Sequence, residues 1–214
     1  MTLRIVVLIS GSGTNLQKII DARAQGEISA EVTAVISNRA EAYGLERARN
    51  AGIAAQVLDH KQFESRQAYD TALRRLIDDY DPGLVVLAGF MRLLTAEFVE
   101  HYRNRLINIH PALLPDYKGL DTHQRVIDDD AQQHGASVHF VTPDLDSGPV
   151  MIQRGFTVNP DDTVETLEQR VHEIEYEIYP KAIQWFAENR LSIENDRVLL
   201  DGEISSEQGL VDND

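Results

Sequence analysis

The sequence predicts an α/β fold: a doubly wound, mostly parallel, Rossmann-like sheet, extended by antiparallel strands and a long helix toward the carboxyl terminus. Three observations carry this. Ile5–Ile9 is a continuous apolar run, as expected of a strand buried on both faces. Strand-like and helix-like patterns alternate through the first half, and parallel strands need crossover helices. The second half changes rhythm, with two strand patterns around the turn-rich segment Pro143–Pro149 and then a long helical stripe.

After the first strand, the pattern predicts a helix from about Asn15 to Ala24, a strand over Val32–Ile36 and a helix from Ala42 to Asn50. Ile53–Leu58 reads as a third strand. Gln62–Tyr80 reads as a long helix, with Phe63, Tyr69, Leu73, Leu76 and Ile77 on its apolar face. Asp81–Pro82–Gly83 is a turn. Leu84–Ala88 and Leu106–Ile109 are the next strands, separated by a short helix over Ala96–Tyr102.

In the second half, Ser137–Thr142 and Val150–Val158 are predicted strands. A helix from Thr163 to Ala187 is expected to open with an Asp162-x-x-Glu165 capping box and to kink at Pro180. Its stripe is Val164, Leu167, Val171, Ile174, Ile178 and Phe186. Leu191–Ile193 and Arg197–Leu200 flank Asn195–Asp196 as a small hairpin. The organisation expected is a single domain over 1–202, with a nucleotide-binding-like half to about 110, an extension over 111–202, and a flexible tail over 203–214.

Composition narrows the function. The 214 residues are 43% hydrophobic and 26% charged, as in globular proteins. There is no cysteine, which removes disulfides, thiolate metal sites and cysteine nucleophiles, and favours a reducing, cytoplasmic location. Twenty basic against thirty-five acidic residues give a net charge of −15, a poor match for nucleic acid or an anionic membrane. No apolar run approaches the ~18 residues of a membrane span.

Four constellations could carry chemistry. Ser10–Gly11–Ser12–Gly13–Thr14–Asn15 joins the first strand to the first helix, where free N–H groups attract phosphate. It lacks the Gly-Lys-Ser/Thr of a Walker loop and the third glycine of a dinucleotide fingerprint. It fits either a phosphomonoester cradle or a capped tight turn. Asn108 and His110 alternate at the carboxyl end of a buried strand, where α/β sheets bind ligands. A carboxamide beside an imidazole can stabilise an oxyanion and move a proton, or can simply tie down a loop.

Asp146, in the turn Asp144–Pro149, could approach His110 and hold it protonated, or could be an ordinary turn residue. Leu87–Leu94 could line a slot for a flat heterocycle with Arg92 meeting a carboxylate, or continue the core. Other groups are discounted. His172 and Glu175 would need a second such pair to hold metal, and Asp128–Asp130 reads as a solvated helix end. His139, between Val138 and Phe140, reads as a structural histidine. His60, His101, His123 and His134 are given no chemistry.

Taken in order, SGSGTN, SNR at Ser37–Arg39, GLERAR at Gly44–Arg49, LAGFMRLL, INIHPALLP, SVHFV and DLDSGPV resemble the phosphoribosylglycinamide formyltransferase family from about Leu3 to Leu200. The resemblance implies formyl transfer from 10-formyltetrahydrofolate, as co-substrate, to the amine of glycinamide ribonucleotide, without a metal. It assigns His110 as general acid/base, Asn108 as the group that orients the formyl and stabilises the oxyanion, and Asp146 as the carboxylate that raises the histidine pKa. It gives the ribonucleotide to Gly13, Thr14 and Asn15 at the phosphate, and to His172, Glu173, Ile174 and Glu175 at the glycinamide end.

For folate the resemblance gives Arg66, Met91, Arg92, Leu93, Leu94 and Asn108, with Thr142, Pro143, Asp144, Leu145 and Asp146. The chain departs from the family at Ala112, where serine is common, and at Asp130, where glycine often stands. Two other readings remain: a 10-formyltetrahydrofolate hydrolase, which would carry an additional amino-terminal domain and need no phosphate cradle, and a non-catalytic nucleotide- or folate-binding protein. A methionyl-tRNA formyltransferase would add an RNA-binding domain and suits the acidic charge badly. The expected partners are the two small substrates, with no nucleic acid and no membrane, and a monomer or homodimer.

Overall fold

The computed structural model describes residues 2–204 and 210–212. The chain divides into two compact units, Met1–Asn108 and Ile109–Asp214.

The first unit is built on parallel strands: β1 (Leu3–Ile9), β2 (Ala30–Ser37), β3 (Ala54–Val57), β4 (Leu84–Leu87) and β5 (Leu106–His110), whose last two residues belong to the second unit. Their order is β5-β4-β1-β2-β3. Central β1 carries the apolar run, and Ile5–Ile9 are wholly buried. Four helices connect the strands: α1 (Thr14–Gln25), α2 (Gly44–Asn50), α3 (Arg66–Asp78) and α4 (Ala96–His101). The register sets Leu8 beside Leu87 and Leu87 beside Asn108. The segments leaving β1 and β4 therefore start level with Asn108, at the carboxyl ends of adjacent strands.

The long helix expected over Gln62–Tyr80 is shorter. His60–Gln62 form a 3-10 turn, and α3 begins only after Ser65, whose side chain accepts the Ala68 N–H at 3.1 Å. Phe63 therefore lies outside the helix and packs edge-on against Tyr69. Tyr69, Leu73 and Ile77 form the buried stripe.

In the second unit α5 (Thr122–Asp128) precedes an antiparallel pair, β6 (Gln133–Phe140) and β7 (Val150–Thr157). Asp128–Asp130 are exposed at the end of α5, as expected. Asp130 has φ 47°, which explains why glycine suits that position.

Helix α6 (Val164–Ala187) continues through Pro180. Its cap differs from expectation. Thr163 and Thr166 form the capping box, while Asp162 accepts from Asn159 N and Arg170, both at 2.8 Å. Strands β8 (Leu191–Glu194) and β9 (Arg197–Leu200) form the expected hairpin, with Asn195 and Asp196 both at positive φ. Within the tail, Leu210–Asp212 form β10, parallel to Arg154–Phe156 of β7; residues 205–209 and 213–214 lie outside the described residues.

Candidate active site

In the first unit, the loop after β1 is shaped by close packing. Gly13 has φ 69°, and a Cβ there would stand 2.7 Å from the Gly44 Cα. Only glycine satisfies both the left-handed backbone and the approach of α2. No side chain caps α1 and its first turn holds no acidic residue, so Thr14 and Asn15 sit in a helix start suited to an anion. Arg47 braces this loop from α2, donating to the Ser12 carbonyl at 2.9 Å and to Gln17 at 3.1 Å.

The loop after β4 is tied to the same place. Ser10 Oγ donates to Asn38 Oδ1 at 2.6 Å and accepts the Met91 N–H at 2.8 Å. Ser10 and Asn38 are both buried. Sequence reading put Ser10 in the loop but did not reveal this link, which depends on pairing between distant strands. Met91 and Leu93 are more than half exposed, while Arg92 between them turns over the Tyr69 ring. Arg66 lies exposed in the first turn of α3. Leu94 is half-buried, and Asn108 is half-buried on β5.

The second unit holds an imidazole–carboxylate cluster. His110 is 4% exposed at the end of β5, and Asn108 stands two residues before it, on the same face by the strand period. Asp146 Oδ2 lies 3.5 Å from His110 Nδ1, and Asp146 Oδ1 lies 3.7 Å from His139 Nε2. Asp146 has φ 45°, an uncommon backbone for a residue other than glycine, and its carboxylate accepts the Gly119 N–H at 2.9 Å. His110 Nε2 donates to the Tyr117 carbonyl at 2.9 Å. Lys118 Nζ donates to Ser147 Oγ at 2.7 Å, so residues 117–119 are fastened both to His110 and to the Asp146–Ser147 turn.

His139, read from sequence as structural, belongs to this cluster. Its Nδ1 donates to the Phe140 carbonyl at 2.9 Å, burial pushes its pKa down while the nearby Asp146 carboxylate acts against that shift, and its Nε2 faces Asp146. Its apolar neighbours in SVHFV disguised it; the cue was its position opposite the Asp146 turn in a hairpin. Ahead of Asp146, Thr142 Oγ1 donates to the Asp144 carbonyl at 3.3 Å, while Pro143, Asp144 and Leu145 are exposed.

On α6, Glu175 lies in the buried stripe with Leu167, Val171 and Ile178, beside Tyr179, whereas Ile174 is only half-buried. The stripe is thus rotated from the expected one, and a carboxylate occupies an apolar position. His172 stacks on Tyr176 at 5.9 Å, and Glu173 is exposed. Among the described residues no group of three or more His, Cys, Asp or Glu side chains is placed to hold a metal ion.

Comparison with known proteins places this geometry among relatives. The family model described as formyl transferase matches residues 3–183. The chain is 51% identical over 207 residues to phosphoribosylglycinamide formyltransferase of Escherichia coli, covering 97% of this chain and 98% of that protein. A structure of phosphoribosylglycinamide formyltransferase from Coxiella burnetii superposes with a TM-score of 0.93 at 51% identity, covering 99% of both chains. Glycinamide ribonucleotide transformylase 1 from Symbiobacterium toebii superposes with a TM-score of 0.91 at 47% identity, over 93% of this chain and 94% of that one.

Proposed function

The chain belongs to the formyl transferase family, and from that membership we propose that it transfers the formyl group of 10-formyltetrahydrofolate to the amine of glycinamide ribonucleotide, a step of purine synthesis. The products are formylglycinamide ribonucleotide and tetrahydrofolate. The observation that carries this is likeness over the whole chain, at 51% identity, to a protein of that activity.

The chemistry follows from the residues. The substrate amine attacks the formyl carbon and the carbonyl electrons move to oxygen. The Asn108 amide donates to that oxygen, help worth about 10²–10³-fold in comparable sites. The amine loses a proton as N10 of the folate gains one and the C–N10 bond breaks. His110 moves that proton, and the Asp146 carboxylate 3.5 Å away balances the charge while the ring holds it. For a substrate atom to meet Nε2, it takes the place of the Tyr117 carbonyl.

Gly13, Thr14 and Asn15 hold the ribonucleotide phosphate at the start of α1, and His172–Glu175 meets its glycinamide end. Arg66, Met91–Leu94 and Thr142–Asp146 hold the folate. Residues 1–202 act as one formyltransferase domain, and the protein works in the cytoplasm as a monomer or homodimer, without nucleic acid or membrane. No described helix is long and apolar enough to cross a membrane.

The test mixes the protein with both substrates and follows folate release with and without ribonucleotide, identifying the product by mass. Release that requires the ribonucleotide and yields its formyl derivative is the expected result. Equal release without it identifies a hydrolase, and binding without release identifies a non-catalytic binder; either result overturns the proposal.

A further inference from the structure

Arg92 is an unusual cation. Its guanidinium makes no hydrogen bond or ion pair among the described residues, and its Nε is buried without a partner. Desolvating a charged donor without a partner is costly, so something else must hold it. That something is Tyr69: the guanidinium carbon lies 4.5 Å from the centroid of the phenol ring.

The ring is itself fixed. Tyr69 is fully buried on the first turns of α3, with Phe63 edge-on at 5.4 Å and His60 edge-on at 6.4 Å. Its hydroxyl is buried and finds no partner among the described residues. A tyrosine whose hydroxyl bonds nothing is being used for its ring. The neighbouring carboxylate does not claim Arg92 either: Asp70 is turned to the Thr95 N–H at 2.6 Å, which pins the far end of the loop Met91–Leu94.

We propose that Tyr69 is a positioning residue for Arg92, holding the guanidinium by the ring face so that its N–H groups remain available to a carboxylate of the folate substrate. The idea rests on the formyl-folate reading and adds a determinant of specificity to it. A face-on aromatic contact orients a planar cation without using any of its donors, whereas an acidic partner would neutralise it. The ring therefore sets affinity for the anionic end of the folate and leaves ribonucleotide affinity and the chemical step alone.

The test is direct binding, measured calorimetrically, of tetrahydrofolate and of its analogue with both glutamate carboxylates capped as amides. Replacing Tyr69 with pentafluorophenylalanine keeps the ring's shape and reverses the sign of its face. This should weaken tetrahydrofolate about three- to thirtyfold, leave the capped analogue unchanged, and raise the folate KM by the same factor at constant kcat. In an Arg92→Met background the same replacement should have no effect, and Tyr69→Phe should bind as the natural protein does.

Normal tetrahydrofolate binding by the fluorinated protein overturns the proposal. So does equal weakening of both ligands, or loss of binding in Tyr69→Phe, and a natural protein without folate affinity overturns it too. Binding without formyl transfer would instead refute the activity while this comparison still reads the role of Tyr69.

Discussion

Asp146 Oδ2 lies 3.5 Å from His110 Nδ1 and accepts the Gly119 N–H at 2.9 Å, so one carboxylate oxygen serves both the imidazole and the loop that covers it. The carboxylate is brought there by a backbone at φ 45° and is nearly out of solvent, with its side chain 9% exposed. Strain at a non-glycine residue persists where the surroundings over-determine it, and such places cluster at functional sites.

Asp146→Asn isolates the charge. Asparagine tolerates the left-handed backbone and can still accept the Gly119 N–H. The expected outcome is a thermal midpoint within a few degrees of the natural protein and a kcat lower by on the order of 10²-fold. Melting curves and steady-state rates check both halves; normal turnover would show that the carboxylate has no part in the chemistry.

Stability of the second unit should fall in acid. His123 Nδ1 and His134 Nε2 share a hydrogen bond of 2.8 Å, which needs one ring to donate and the other to accept. Burial pushes His134 down to about 3 and lowers His123, while burial lowers His139 as well. The unfolded chain titrates its histidines near 6.5. Because the folded values are depressed, the unfolded state takes up the extra protons, so this stability is complete above about pH 6.5 and is lost as the pH falls toward 3. Urea midpoints at pH 7.5, 6 and 5 should decline, and His134→Gln should flatten the decline. Parallel slopes for the two proteins would contradict the assignment.

Gly13 and Gly26 both have positive φ, at 69° and 77°, and they bracket α1. They differ in surroundings. Nothing lies within 4 Å of a Cβ at Gly26, while one at Gly13 would press on Gly44. Gly26→Ala should cost about 1 kcal/mol, with ribonucleotide KM unchanged. Gly13→Ala should cost about 2–3 kcal/mol and raise that KM as the phosphate loop shifts. Equal effects on KM would mean that the loop does not hold the phosphate.

Local chemistry made much of the architecture readable. Ile5–Ile9 could only be a buried strand, and Asn195–Asp196 announced its hairpin because both residues tolerate positive φ. The errors came where two local signals compete. Ser65 caps α3 although apolar Phe63 extends the helical pattern upstream, and Thr163 takes the cap from Asp162, which the Arg170 guanidinium engages instead. Glu175 was legible as a candidate through family likeness alone, since a carboxylate at a buried helical position breaks the periodic pattern rather than following it. The contact of His139 with Asp146 is made across one hairpin turn, but its apolar neighbours in SVHFV mask it, and the contact of Ser10 with Met91 spans 81 residues and arises only because β1 pairs with β4.

The most direct measurement is single-turnover formyl transfer by His110→Ala, with ribonucleotide binding measured in parallel. The account predicts a rate lower by at least about 10²–10⁴-fold and a ribonucleotide affinity close to the natural one, since the residues proposed to hold the ribonucleotide, Gly13–Asn15 and His172–Glu175, do not include His110. A near-normal rate would contradict it.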